Sequence, residues 1–257
     1  MRLLVSVTDA AEATAALGGG ADVIDAKDPH EGSLGAVPVR ALREIRTTVG
    51  EARPVTAAIG DASDEIAIER TAHEFAAAGA TLLKVGFAGI DSGSRVSALL
   101  SAAMRGAASA TEGLAGVVAV GYADADPEAS VPFPRLVEIA ASTRAWGVLL
   151  DTVDKSGPGL SQLVRVSEVT RWVDAAHHAG MVVALAGRLT ADDLQFVRDT
   201  GADIAGVRGA ACDNGRTGSV SLDKVRSLSI RCAQTVRSDL ATLFRSVSRG
   251  GPTREPR

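Results

Sequence analysis

Residues 21–35 read ADVIDAKDPHEGSLG. The stretch begins as an apolar strand and ends in two charges, Asp25 and Lys27. They are two residues apart, so in an extended chain they point to the same face. A Gly/Ser segment, Gly32-Ser33-Leu34-Gly35, follows at once. Charges at the end of an otherwise buried strand need a polar site to serve, and the rest of the chain decides what that site is.

The same pattern recurs along the sequence. Eight short apolar runs read as strands: 2–7, 21–27, 54–60, 81–87, 116–124, 146–153, 181–187 and 203–209. They are nearly continuous in apolar residues, as parallel strands covered on both faces are. The segments between them read as helices. Asp9 and Glu12 form a capping-box pattern, with Asp in place of Ser or Thr, and Gly18 to Gly20 end that helix. A long amphipathic helix is expected over 160–180, with Leu163, Val166, Val169, Val173 and Ala176 on one face and Gly180 as its stop. The tetrapeptides AAGA (77–80), HAGM (178–181) and TGAD (200–203) each place a glycine between helix and strand.

Eight β/α units in about 240 residues predict an α/β fold, the (β/α)8 TIM barrel. An open doubly wound sheet is the alternative, and the even spacing of eight units favours closure. One domain is expected over residues 1–240. The Gly/Pro/Arg-rich end, 241–257, reads as a flexible tail.

Composition agrees with a large enclosed core. Of 257 residues, 46% are hydrophobic and 23% charged, which argues against disorder. Aromatics are only 3%, so Ala, Val, Leu and Ile must fill the interior. A net charge of −4 makes a general nucleic-acid partner a poor fit. No run of about 18 apolar residues marks a membrane span, and the N-terminus enters a strand rather than a signal peptide. Cys212 and Cys232 have neither metal spacing nor a disulfide framework, so a cytoplasmic location is the simple expectation. Such barrels often associate, but the sequence does not specify a homo-oligomer.

In this fold the chemistry sits at the C-terminal ends of the strands. The second strand brings Asp25 and Lys27 there. The fourth carries Lys84 in phase with Leu82 and Gly86. The sixth ends in Asp151, with Lys155 four residues on, and the fifth ends in Tyr122 and Asp124. Even-numbered strands contribute to the same interior layers, so three lysines and two aspartates are expected to converge. Each has a plainer reading: a lysine late in a strand can snorkel to water, and Asp25 with Lys27 can be a structural ion pair. Together they fit another chemistry. A lysine among cations and partly removed from water is more easily neutral, and a neutral amine forms a Schiff base with a carbonyl. A second amine can then take the proton alpha to the iminium.

The seventh and eighth strands end in Gly187-Arg188 and Gly206-Val207-Arg208-Gly209. Many barrels hold phosphate at these two loops, with glycine allowing close backbone approach and arginine adding a paired donor. Gly32 and Ser33 offer a second anion loop or a lid. His73, His177 and His178 fall on helices outside the barrel, while His30 lies in the loop after the second strand. No metal cluster, P-loop or dinucleotide fingerprint occurs, so no cofactor is expected.

The runs IDAKDPHEGSLGA (24–36), LLKVGF (82–87), LLDTVDKSG (149–157), ALAG (184–187) and DIAGVRGAAC (203–212), in this order, resemble (5-formylfuran-3-yl)methyl phosphate synthase, also called 4-(hydroxymethyl)-2-furancarboxaldehyde-phosphate synthase. The resemblance covers roughly residues 1 to 235. It implies a TIM barrel that joins two glyceraldehyde 3-phosphate molecules into a phosphorylated furan aldehyde, for furan coenzymes of the methanofuran and methylofuran type. It implies Lys27 as the Schiff-base residue and Lys84 as the proton-abstracting base. Asp25, Asp151 and Lys155 match further active-site positions. The chain departs at Asp28, where many relatives carry asparagine. The low-aromatic, Arg/Ala-rich composition favours a bacterial, methylofuran-type setting. Two other readings stay open on the residues alone: a class I aldolase for another phosphorylated aldehyde, and a non-catalytic barrel that binds sugar phosphates.

Overall fold

The computed structural model describes residues 1–233. Within them, strands β1 (Arg2–Val7), β2 (Val23–Ala26), β3 (Val55–Asp61), β4 (Leu82–Gly86), β5 (Gly116–Tyr122), β6 (Gly147–Asp151), β7 (Val182–Leu185) and β8 (Ile204–Val207) pair in chain order, all parallel. β8 pairs with β1 and closes the barrel. The apolar runs therefore form the (β/α)8 barrel that their spacing predicts. The tail expected at 241–257 lies outside the described residues.

Most strands are a residue or more shorter at the C-terminal end than their apolar runs. Lys27, Asp124, Val153, Gly187 and Gly209 stand past the last paired residue, in the loops that rim the mouth. At β6 the cause is local: the Asp151 carboxylate accepts from the next backbone amide, that of Thr152, at 2.8 Å.

Helices α1 (Ala10–Gly19), α2 (Val39–Val49), α3 (Glu65–Ala77), α4 (Gly93–Thr111), α5 (Phe133–Thr143), α6 (Leu160–Leu163), α7 (Val166–His178), α8 (Leu194–Asp199) and α9 (Leu222–Ala233) surround the sheet. Residues 160–180 do not form one helix. The chain is extended at Val164 and Arg165, and the Glu168 carboxylate accepts from the Arg165 amide at 3.2 Å, starting α7 afresh. Val169, Val173 and Ala176 still form the buried face. At α1 the Asp9 side chain caps the Glu12 amide, as expected. Glu12 does not return the bond to Asp9; its carboxylate accepts from the Thr8 amide. Gly180 and Gly201 sit at φ +78° and +77°, left-handed turns from helix into strand that glycine adopts without strain.

Alternation along the strands separates two cores. Leu3, Val5, Val7, Leu83, Leu150 and Leu185 face outward under the helices. Inside the barrel, Leu4, Val23, Leu82 and Ile204 are buried towards the strand starts, and Ser6, Asp25, Thr56, Lys84 and Asp151 form a buried polar band above them. Small interior residues, among them Ala58, Ala184, Ala186 and Gly206, leave space where such barrels are usually filled. Among the described residues, no helix is long and apolar enough to cross a membrane.

Candidate active site

Asp25 is fully buried, and register explains its partners. Ser6 on β1 and Thr56 on β3 are its direct neighbours in the ladder. Their hydroxyls donate to its two carboxylate oxygens at 2.9 and 2.7 Å. Lys84, across the small Ala58 in the next ladder, reaches over to Asp25 Oδ2 at 2.5 Å. Burial raises the Asp25 carboxyl, but the charges of Lys84 and Lys27 and the hydrogen bonds from Lys84 and Thr56 outweigh it and hold it below its usual value. The aspartate is thus an ionised anchor beneath Lys84.

Asp151 is the second anchor. Lys155 Nζ lies 2.6 Å from its Oδ1, and Lys27 Nζ lies 3.7 Å from its Oδ2. Oδ2 is buried and accepts no hydrogen bond from the described residues. Here too burial acts upward, and Lys27 and Lys155 overcome it to keep the carboxyl low. Lys155 also donates to the Thr152 carbonyl at 2.5 Å. Three lysines therefore share two carboxylates.

That imbalance falls on Lys27. Burial lowers the pKa of its amine most, Asp151 resists, and Lys84 and Lys155 push it further down, to about 8. About a tenth of the amine is then neutral at pH 7, far more than for an ordinary lysine, which suits it to attack a carbonyl. The three lysines and Asp151 line one cavity of about 570 Å³ that runs from the mouth into the barrel, within the range of small-ligand sites. Asp25 sits just behind its wall.

The expected phosphate groups divide. Gly187, Arg188, Gly206 and Gly209 line the cavity on its β7–β8 side. Arg188 is exposed. Arg208 also borders the cavity, but its guanidinium is engaged elsewhere. It donates to both carboxylate oxygens of Glu12 and to the carbonyls of Ser6, Gly218 and Arg216. All five of its donors are used within the protein, where it joins β1, α1 and the loop after β8.

Gly32 and Ser33 are likewise engaged within the protein. Neither lines the cavity. The Ser33 hydroxyl donates to the carbonyls of Thr152 and Val153, clamping the loop after β2 to the loop that carries Lys155. Asp124 grips that second loop from β5, accepting from the amides of Val153 and Asp154. Leu34 turns inward and is buried beside Tyr122, covering the mouth over β3 to β5. The opening therefore lies over β6 to β8. His30 is exposed and away from the cavity, while Asp28 accepts from the His30 amide at 2.8 Å, so its extra charge is held in a turn. His73, His177 and His178 are exposed on α3 and α7.

Two roles lie outside the expected set of site residues. Glu12 is the buried partner of Arg208; a buried arginine demands an acid, but this one lies 196 positions away. Arg216 lines the cavity from the loop after β8 and donates to the carbonyls of Pro29 and Gly32. Its signal was present in GRTG, beyond the stretch where phosphate loops are usually sought.

A family model described as 4-HFC-P synthase matches residues 3–229. Proteins named (5-formylfuran-3-yl)methyl phosphate synthase are similar along nearly their whole length. The one from Methanopyrus kandleri is 39% identical over 230 residues, covering 88% of this chain and 97% of the relative. Those from Methanosarcina mazei and Methanocaldococcus jannaschii are 36% and 35% identical, each over 90% of this chain and 99% and 100% of the relatives. Among solved structures, 3-hexulose-6-phosphate synthase superposes with a TM-score of 0.61 at 19% identity, over 91% of this chain and 100% of that one. Phosphoribosyl anthranilate isomerase from Thermus thermophilus gives 0.59 at 18%, over 91% and 98%. At that identity these two speak to the barrel alone. The sequence relatives speak to more, and the chain belongs to the 4-HFC-P synthase family.

Proposed function

We propose that this enzyme condenses two glyceraldehyde 3-phosphate molecules into (5-formylfuran-3-yl)methyl phosphate, with loss of phosphate and water, through a Schiff base on Lys27. The product would enter a furan coenzyme pathway of the methanofuran or methylofuran type. The observation that carries the reading is Lys27: a buried amine facing the cavity, pushed down to about 8, beside the ionised Asp151.

In this scheme neutral Lys27 attacks the first aldehyde, and the carbinolamine loses water to give an iminium. Asp151 Oδ2 accepts and returns the protons of that step, while Lys155 holds the other oxygen. Lys84, held 2.5 Å from Asp25, is the group placed to take the proton alpha to the iminium, and Asp25 stabilises the ammonium so formed. The enamine adds to the second aldehyde. Elimination of phosphate, ring closure and dehydration with loss of two waters in all, and hydrolysis from Lys27, which returns the water lost in forming the iminium, complete the turnover. Gly187, Arg188, Gly206 and Gly209 border the space for a substrate phosphate.

The relatives' name supports the product, and the three-lysine cavity supports the route. The test is incubation with glyceraldehyde 3-phosphate alone. Furan ultraviolet absorbance is the expected result. An aldol product without it would indicate a class I aldolase, and saturable binding without turnover a sugar-phosphate-binding barrel.

A further inference from the structure

Arg216 is a half-buried cation whose contacts are all neutral. One terminal nitrogen donates to the Pro29 carbonyl and the other to the Gly32 carbonyl, the latter at 2.7 Å. Among the described residues no carboxylate comes within ion-pair distance of it. Burial lowers its pKa, and Asp151 and Asp28 oppose this only through longer-range attraction. Its setting is the reverse of that of Arg208, whose five donors are all taken and whose charge is matched by Glu12.

Gly187, Gly206, Gly209 and Gly215 line the same cavity, and Gly209 lies directly against Arg216. Glycine lets an anion come close to the backbone, and a guanidinium fits a phosphate with two parallel donors. A cation partly withdrawn from water, with no acid in contact and donors still free, is prepared for an incoming anion.

We propose that Arg216 is the principal charged ligand of a substrate phosphate and sets the preference for phosphorylated aldehydes. This rests on the reading that the cavity takes such an aldehyde, and it moves the role expected of Arg208 to the tip of the same loop. The arrangement also links recognition to chemistry. Pro29 and Gly32 belong to the loop that begins at Lys27, so a phosphate held by Arg216 is held by a residue already bonded to the nucleophile's own loop.

The test compares wild type with Arg216→Gln and Arg216→Lys. Borohydride trapping on Lys27 is measured with glyceraldehyde 3-phosphate and, separately, with unphosphorylated glyceraldehyde. Arg216→Gln should lower trapping efficiency with the phosphorylated aldehyde by about 10- to 100-fold and change it less than about twofold with glyceraldehyde, with Arg216→Lys in between. Equal losses with both would reduce Arg216 to a loop latch, and no loss with either would assign the phosphate to another group. Calorimetric titration with inorganic phosphate, which needs no aldehyde, separates this inference from the proposed activity. Phosphate binding that depends on Arg216 in a protein that makes no furan upholds the inference and removes the activity. Undiminished furan formation by Arg216→Gln does the opposite.

Discussion

Lys27 Nζ stands 3.7 Å from Asp151 Oδ2, a buried carboxylate oxygen that accepts no hydrogen bond from the described residues. The lysine is close enough to feel the charge and too far to be fixed by it. Its amine can turn to a substrate while the aspartate stays ionised beside it. Lys155 and Lys84, each at about hydrogen-bond distance from its aspartate, are tied down by comparison.

The first prediction concerns pH. The rate of Schiff-base formation should rise with the neutral fraction of Lys27, about tenfold per pH unit below its pKa, and flatten above about 8. An ordinary lysine would keep rising to about 10.5. Stopped-flow or quench measurements of trapping between pH 6 and 10 read this directly. A rise that continues unbroken past pH 10 contradicts the assigned environment.

The same shift bears on stability. Folding lowers the Lys27 pKa from 10.5 to about 8, so the folded state holds this proton more weakly than the unfolded one. The resulting cost is fully present below pH 8 and is relieved as pH rises from 8 to 10.5. Lys27→Met removes that cost and should leave stability at pH 7 unchanged or raised, although it abolishes trapping. Lys84→Met leaves the fully buried Asp25 without its cation and should cost about 3–5 kcal/mol. Urea unfolding of the two variants at pH 7 compares them, and equal losses would refute the distinction.

A third prediction separates Arg208 from phosphate binding. Arg208→Gln strands Glu12, a buried carboxylate, and should destabilise the fold by about 3–5 kcal/mol. Replacing both residues with Met should recover part of that loss. A stable Arg208→Gln protein with weakened substrate affinity would return Arg208 to the phosphate site.

Ser33 provides a fourth. As a clamp between the β2 and β6 loops, it should cost about 1 kcal/mol on change to Ala, with inorganic phosphate affinity altered less than about twofold. A tenfold loss of phosphate affinity, measured by calorimetry, would restore the anion-loop reading of Gly32 and Ser33.

What was legible in the sequence follows from how local each signal is. A charge such as Lys84 inside an apolar strand, or Asp25 and Lys27 at period two, is visible because backbone geometry fixes its direction over a few residues. The strands show for the same reason, and their order in the closed sheet follows from the regular β/α spacing. Ser33 and Arg208 look like phosphate ligands by position. The partners of Ser33 are 119 to 120 residues distant and the charged partner of Arg208 is 196 away, and only the closed barrel brings these within reach. The break at Val164 and Arg165 was hidden because the apolar spacing continues across it, while a side-chain carboxylate, not the apolar face, restarts the helix.

The most direct test of the central claim is to locate the covalent adduct. The enzyme is incubated with glyceraldehyde 3-phosphate, reduced with borohydride and mapped by peptide mass spectrometry. The account predicts one reduced adduct on the peptide that carries Lys27, absent from Lys27→Arg, which stays protonated. An adduct on Lys84 or Lys155 instead, or furan formation undiminished in Lys27→Arg, would contradict it.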